Sequence, residues 1–277
     1  MTMIAVGNER SILRISGSDA LSFLDGQVSQ SVAQLIDGEG SASLLLQPDG
    51  KMVDLVGLHR QGDEVLVDVA TGALDLVEQR LRRFLFRVKV TIERTDLVVC
   101  WWPEGGPVGN TLSKRRYGAR GVLSVHDEVP HGVQWLHELE SATFRIDQEI
   151  PAFGSEITEG TIPASLGAGL VAASVSFTKG CYTGQELVAR LDARGSQVPF
   201  HLVALRSVEP FVVGEELRAE VDGPAGVVTS VAPSIDGAAT IGLGFVHRSQ
   251  VECGTFVSSS GRSITARRLD GALIFGP

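Results

Sequence analysis

The sequence predicts an α+β protein: antiparallel-sheet and helix units make up its N-terminal part, and a small β-barrel closes its C-terminal end. Three observations carry this expectation. Between residues 43 and 92, three β-prone runs, an amphipathic helical stretch and a further alternating run follow one another. From Phe200 onward, short β-prone pieces are separated by Gly, Pro and Asp, and helical periodicity is nearly absent. Between these regions, a Thr-x-x-Glu pattern at Thr183 opens an apolar stripe at helical spacing.

Taken in order, Ile12-Leu13-Arg14-Ile15 alternates like a short strand and ends at Gly17. Ser18 then offers an N-cap for a helix carrying Ala20, Leu21, Leu24 and Val28. Ser43 to Leu46 predicts a buried strand, Pro48-Asp49-Gly50 a turn, Met52 to Leu58 a second strand and Val65 to Val69 a third. A helix over about 73–84 places Leu74, Val77, Leu81 and Phe84 on one face, and Val88, Val90 and Ile92 alternate as a strand. Val98 to Trp101 predicts another strand, and the glycine-rich, charged stretch 105–121 a loop. In the last region the β-prone pieces are 203–205, 212–213, 227–228, 241–246, 255–257 and 264–266. The boundary falls between Gly195 and Phe200, giving a larger unit over 1–197 and a β-barrel over 198–277.

The 277 residues are 43% hydrophobic with a net charge of -9, ample for more than one packed unit. That charge argues against a nucleic-acid backbone as the main partner, although Arg80, Arg82, Arg83, Arg87 and Lys89 form a local basic strip. The first residues lack the basic start and apolar run of a signal peptide, and the apolar stretch 166–175 is too short to span a bilayer. Three widely spaced cysteines form no Cys-x-x-Cys pair, and the six histidines show no ligand spacing, so neither disulfide nor metal is expected. A reduced, cytoplasmic chain with no membrane partner is the simplest expectation.

The candidate functional centre is Lys179-Gly180-Cys181-Tyr182-Thr183-Gly184-Gln185-Glu186. With Thr183 as N-cap and Glu186 closing a capping box, Cys181 would lie just outside a helix N-terminus, where free N–H groups and Lys179 favour a thiolate. Gly180 and Gly184 let the backbone turn on either side. Cys100, among Val98, Val99 and Trp101, fits an inert buried thiol, as does Cys253 at a turn. Tyr182 either stacks on a ligand or packs beneath the cap, while Gln185 and Glu186 hold the loop.

From Val175 through Cys181 and Glu186 to Arg194-Gly195, this stretch closely resembles the signature of the YgfZ family, folate-binding proteins built like the aminomethyltransferase (T-protein) of the glycine cleavage system. Ile15 to Ala20 with Phe23 to Gln27 is similar to the family's opening helix, Leu45 to Lys51 to its hairpin, and Arg83 to Val90 to its basic helix-to-strand segment. Arg145-Ile146, Ile150-Pro151 and Gly154 resemble the stretch before the signature. The resemblance implies a ring of three domains around a central folate cavity, with the 1–197 region interwoven as roughly 1–50 with 140–197, and 51–139.

It further implies a tetrahydrofolate or derivative as ligand, with Lys179 and Cys181 facing it. Family members support maintenance or repair of iron–sulfur enzymes, and some are linked to tRNA thiomethylation through them. Gln27 and Asp54 are the candidates for the pterin edge, Arg87 and Arg190 for the glutamate tail. Three departures stand out. The aminomethyltransferase carries adjacent aspartates on its hairpin strand, where this chain has Asp54 and Leu55, and a leucine cannot deprotonate an amine. Ser29-Gln30-Ser31 replaces a Thr-Asn-Asp, and Pro199-Phe200 stands where a basic residue is common. The expected function is therefore a folate-binding accessory protein for iron–sulfur enzymes with Cys181 as the functional thiol. The alternative is a folate-dependent aminomethyltransferase acting on glycine or a related amine.

Overall fold

The structure, a computed structural model, describes residues 4–5, 10–107, 109–193, 195, 197–219, 223–252 and 254–269. Cys253 and Arg194 of the sequence reading lie outside the described residues.

A two-residue strand, β1 (Ile4–Ala5), precedes β2 (Arg10–Ser16), α1 (Ala20–Asp25), β3 (Gly40–Leu46), β4 (Met52–Gln61), β5 (Glu64–Ala70), α2 (Leu74–Arg82) and β6 (Thr91–Arg94). β3, β4, β5, β2 and β6 pair in that order, all antiparallel, into one five-stranded sheet. Strand alternation sorts its faces. Leu13, Ile15, Val65, Val67 and Val69 pack against Phe23 and Leu24 of α1 and Val77 and Leu81 of α2. Ile12 and Leu66 face the other way, onto Val99, Leu123 and Val125.

Those last residues belong to a second sheet. β7 (Val98–Trp102), β8 (Ser113–Arg116) and β9 (Val122–His126) pair in the order β7-β9-β8. β10 (Gln134–Trp135) pairs in parallel with β1. Next come α3 (Glu138–Asp147), whose N-cap His137 and Glu140 form a capping box, then α4 (Ala168–Ser174) and α5 (Gln185–Ala193). The remaining strands are β11 (Phe200–Ser207), β12 (Glu216–Ala219), β13 (Gly223–Pro233), β14 (Thr240–His247), β15 (Thr255–Ser258) and β16 (Ser263–Arg268). They close into a barrel in the order β11-β14-β13-β12-β15-β16, filled by Val203, Leu205, Phe211, Leu217, Val246, Phe256 and Ile264.

Several expectations are corrected, each for a local reason. Asp19, not Ser18, sits at the start of α1, and its carboxylate accepts a hydrogen bond from the Lys89 backbone N–H at 2.7 Å. The helix ends at Asp25, and Val28 bridges Leu45 instead of extending it. Residues 88–90 do not pair as a strand, because Arg87 turns the chain at φ 57 and the Lys89 N–H goes to Asp19. β8 lies inside the stretch expected to be loop. Its inward residues, Ser113 and Arg115, are polar, so hydrophobic alternation could not reveal it. Val212 and Val213 are exposed outside any strand. On either side of residue 50 the strands share one sheet, since β3 pairs with β4 and β2 with β5.

Between the two sheets lies a buried polar hub. Asp68 of β5 accepts from Arg115 Nε and Nη2, both at 2.8 Å, from Arg10 Nε, and from His59 Nε2 at 2.7 Å. His59 Nδ1 meets Ser113 Oγ at 2.9 Å. Burial would raise the Asp68 pKa, but Arg10 and Arg115 hold it well below the usual carboxylate range. Burial keeps His59 neutral, so Nε2–H donates to Asp68 and Nδ1 accepts from the Ser113 hydroxyl. Gly57 makes the room: a Cβ there would stand 1.7 Å from Asp68 Oδ2.

Candidate functional site: an inner cavity and an outer thiol loop

A cavity of about 340 Å³ opens beside the hub, within the size range of small-molecule sites. β4 contributes Asp54 and Leu55, β7 contributes Val99 and Trp101, and Arg10, Tyr117 and Arg145 complete its polar and aromatic wall. Tyr117 packs edge-on to Trp101 at 5.8 Å between ring centres, and the guanidiniums of Arg115 and Arg10 approach its ring at 4.9 and 5.6 Å. Arg10 Nη2 also donates to the carbonyls of Leu55 (2.9 Å) and Asp68 (3.0 Å), so the hub fixes this cation at the cavity.

Asp54 is buried, and its Oδ2 accepts from the Ala70 N–H at 2.8 Å. Burial pushes its carboxyl up to about 6, against the opposing pull of Arg10 and two backbone N–H groups. The cavity thus holds a carboxylate poised near neutrality beside a fixed cation and two aromatic rings. Arg145 braces the wall, donating to the Ile150 carbonyl (2.7 Å) and to Ser230 Oγ of the barrel (2.8 Å). Buried Glu156 accepts from Thr229 and Ser230 hydroxyls, both at 2.6 Å, which ties the segment before the signature to β13. A larger cavity of about 600 Å³ lies across β8, lined by Lys114, Arg116 and Val122, with no buried acid among its walls.

The thiol loop is elsewhere. Cys181 is exposed and does not line the Asp54 cavity. α5 begins only at Gln185, preceded by Gly184 at φ 84, so Thr183 is not its N-cap and the helix-terminus setting expected for Cys181 is not formed. Gln185 instead reaches back, its Oε1 accepting from the Tyr182 N–H at 3.3 Å, while Glu186 stays exposed in the first turn. The Thr183 N–H donates to the Gly26 carbonyl at 3.1 Å, and Gly184 lies so close to β3 that a Cβ would be 2.7 Å from Leu46 Cβ. Gly180 is exposed with open space around it.

Lys179 lines neither of the two cavities described above. Its ammonium donates to the carbonyls of Asp25, Val28 and Gln30, the last two at 3.0 Å, with Asp25 Oδ1 at 3.2 Å. Three N–H bonds are thereby filled. Burial pushes its pKa down and Asp25 opposes this. Tyr182 packs into the core under the loop, with its hydroxyl pushed up to about 12 by burial. Cys100 is buried and likewise pushed up, to about 11, as an inert thiol should be.

Of the residues expected around a ligand, only Asp54 lines the inner cavity; Gln27, Arg87 and Arg190 do not. Gln27 is buried and accepts from Arg80 Nη1 at 3.0 Å. Arg87 and Arg190 are exposed on the surface. The sequence reading missed Arg10, Trp101, Tyr117 and the Asp68 hub. Their positions carry no spacing signal, because strands from two sheets bring them together.

The fold is that of the T-protein aminomethyltransferases. The chain matches the crystal structure of glycine cleavage system aminomethyltransferase T from Bartonella henselae with a TM-score of 0.81 at 15% identity, covering 100% of this chain and 88% of that one. In sequence the chain is similar to proteins that carry the name YgfZ. It is 26% identical over 219 residues to the tRNA-modifying protein YgfZ of Escherichia coli O157:H7, covering 66% of this chain and 65% of that protein. It is 27% identical over 225 residues to a mitochondrial iron–sulfur cluster assembly factor homologue of Mycosarcoma maydis, covering 67% and 53%. An uncharacterized Haemophilus influenzae protein is 25% identical over 245 residues, covering 82% of each chain. No family model matches. The chain thus spans about half to four fifths of the length of these relatives. Among the described residues, no helix is long and apolar enough to cross a membrane.

Proposed function

We propose that this chain is a tetrahydrofolate-binding accessory protein that supports assembly or repair of iron–sulfur enzymes. The observation that carries the reading is the inner cavity, in which buried Asp54 and fixed Arg10 stand beside Trp101 and Tyr117. A pterin offers an edge of N–H donors and acceptors on a flat ring. The Asp54 carboxylate accepts from that edge, Arg10 supplies donors and a positive charge, and the aromatic wall takes the ring face. Two relatives of this chain are called an iron–sulfur assembly factor and a tRNA-modifying protein, which supports the choice of process. Cys181 is the functional thiol, exposed so that a protein partner can reach it, and Lys179 acts by pinning the 25–30 loop that supports it.

The alternative, aminomethyl transfer, is disfavoured by Leu55. It lines the cavity beside Asp54 and leaves a single carboxylate where the aminomethyltransferase pattern has two. The test is calorimetric titration with tetrahydrofolate under reducing, anaerobic conditions. A Kd in the micromolar range, about -8 kcal/mol, is expected, and Asp54→Asn should weaken it at least about tenfold. No heat with wild type sinks the folate reading. Full rescue of iron–sulfur enzyme activity by Cys181→Ala, in cells lacking the chain, sinks the role of the thiol.

A further inference from the structure

The segment from Arg80 to Lys89 belongs to neither the cavity nor the thiol loop, and its composition is out of keeping with the chain. Five cations fall within ten residues of a protein whose net charge is -9. Glu78 pairs with Arg82 at 2.8 Å, but Arg83, Arg87 and Lys89 are exposed and have no carboxylate partner among the described residues. Between them stand two exposed phenylalanines, Phe86 at 73% and Phe84 at 38%. Each ring carries a guanidinium on its face: Arg80 at 4.3 Å from the centre of Phe84, Arg87 at 5.0 Å from that of Phe86. Arg87 adopts φ 57, a left-handed conformation that a non-glycine residue holds only where its surroundings insist on it.

Arg80 joins this strip to the thiol loop. It is buried, donates from Nε to the Leu46 carbonyl (2.9 Å) and from Nη1 to Gln27 Oε1 (3.0 Å), and its Nη2 has no partner. Leu46 is also the residue against which Gly184 packs, and Gly26, next to Gln27, accepts from the Thr183 N–H. The basic, aromatic strip therefore starts at the base of the loop that presents Cys181.

We propose that residues 83–89 form a docking surface for an acidic, partly apolar segment of a protein partner, the client brought to Cys181; this rests on the reading of Cys181 as the functional thiol. Phe86 is the anchor, and Arg83, Arg87 and Lys89 select carboxylates and speed encounter. Exposed aromatics with stacked guanidiniums are the usual makings of a protein-binding centre. A nucleic-acid backbone fits less well. Among the described residues, only Arg83, Arg87 and Lys89 of the strip's exposed cations are left without a carboxylate, since Glu78 takes Arg82 and, with Asp75, nearby Arg94, so few cations remain for a run of phosphates.

The test uses the full chain and a fluorescein-labelled, glutamate-rich peptide with a central tryptophan, read by anisotropy at low salt. Wild type should bind it. The double variant Arg83→Glu, Arg87→Glu should bind at least about tenfold more weakly, and Phe86→Ala about fivefold more weakly. Cys181→Ser should bind the peptide as wild type does, and the double variant should keep the wild-type affinity for tetrahydrofolate. If reversal at Arg87 disturbs its turn, seen as a lowered urea midpoint, Arg83→Glu with Lys89→Glu takes its place. Equal binding by wild type and the reversed variants, or no binding by wild type, overturns the proposal. So does binding of a single-stranded oligonucleotide, lost in the same variants, with no peptide binding. A failure of the thiol reading would appear separately, as full rescue by Cys181→Ala with peptide binding still dependent on the strip.

Discussion

The inner cavity and the thiol loop hold their charged groups in opposite ways. In the cavity, Arg10 is clasped by a side chain from another strand, Asp68, which also holds Arg115 and His59. Side chains from four strands in two sheets satisfy one another, with Asp68, His59 and Arg115 buried and Arg10 reaching the cavity. At the loop, Lys179 is held by backbone carbonyls of one neighbouring segment, while Cys181 itself is exposed. Under the function proposed above, the difference is a division of labour. Recognition of a small ligand needs polar groups fixed before it arrives, whereas a thiol that meets another protein needs a stiff base and an open top.

The contrast can be broken most forcefully at the hub. Asp68→Asn leaves Arg10 and Arg115 buried without their counter-charge, and should cost about 3–5 kcal/mol of stability, read as a lowered urea midpoint. An unchanged midpoint would mean the two sheets do not depend on the hub. Lys179→Met strands three carbonyls and Asp25, with an expected cost of about 1–3 kcal/mol. Hydrogen exchange should locate that loss in residues 25–31 and leave the cavity wall untouched; loss of protection across both regions would show that the two are one cooperative unit.

A finer probe is pH. Asp54 has its folded pKa raised to about 6, above the value of about 3.9 in an unfolded chain. Below both values the group favours neither state. As pH rises through the folded pKa, burial of the charge opposes folding, so Asp54→Asn should stabilise the protein at pH 7 by about 3 kcal/mol or less. The same titration should weaken folate binding about tenfold per pH unit below 6, a slope that Asp54→Asn removes. A flat profile in wild type would exclude Asp54 as the acceptor. The smallest effect is expected at the surface: Cys181→Ser should shift stability by no more than about 0.5 kcal/mol while abolishing rescue of iron–sulfur enzyme activity.

Much of this architecture was legible in the sequence because it rests on periodicity and turns. Pro48-Asp49-Gly50 marks the hairpin between β3 and β4, and the alternation of Leu13 with Ile15 and of Val65, Val67 and Val69 marks faces of the sheet. β8 was hidden because its buried side chains are Ser113 and Arg115, which pair with a histidine and an aspartate from distant strands. The loop 25–30 was hidden too: Val28 continues a helical pattern, yet Lys179, some 150 positions away, captures the carbonyls that a longer helix would have used. Asp54 was found from its motif, but Arg10 and Tyr117 meet it only through the stacking of two sheets. The capping-box pattern at Thr183 misled because Gly184 takes a left-handed conformation to pack against Leu46 and delays the helix to Gln185.

His59 gives the molecule a built-in reporter. Its Nε2 proton lies in a bond to Asp68, sealed from water, and such a proton exchanges slowly enough to give a separate downfield line in a proton NMR spectrum. Asp68 shares its charge between this ring and Arg10, and Arg10 stands in the wall of the cavity. A ligand that draws on Arg10 must therefore change the electron density that Asp68 offers to His59. The line should move on binding at a place the ligand never touches, so that one resonance from behind the wall records what happens in front of it.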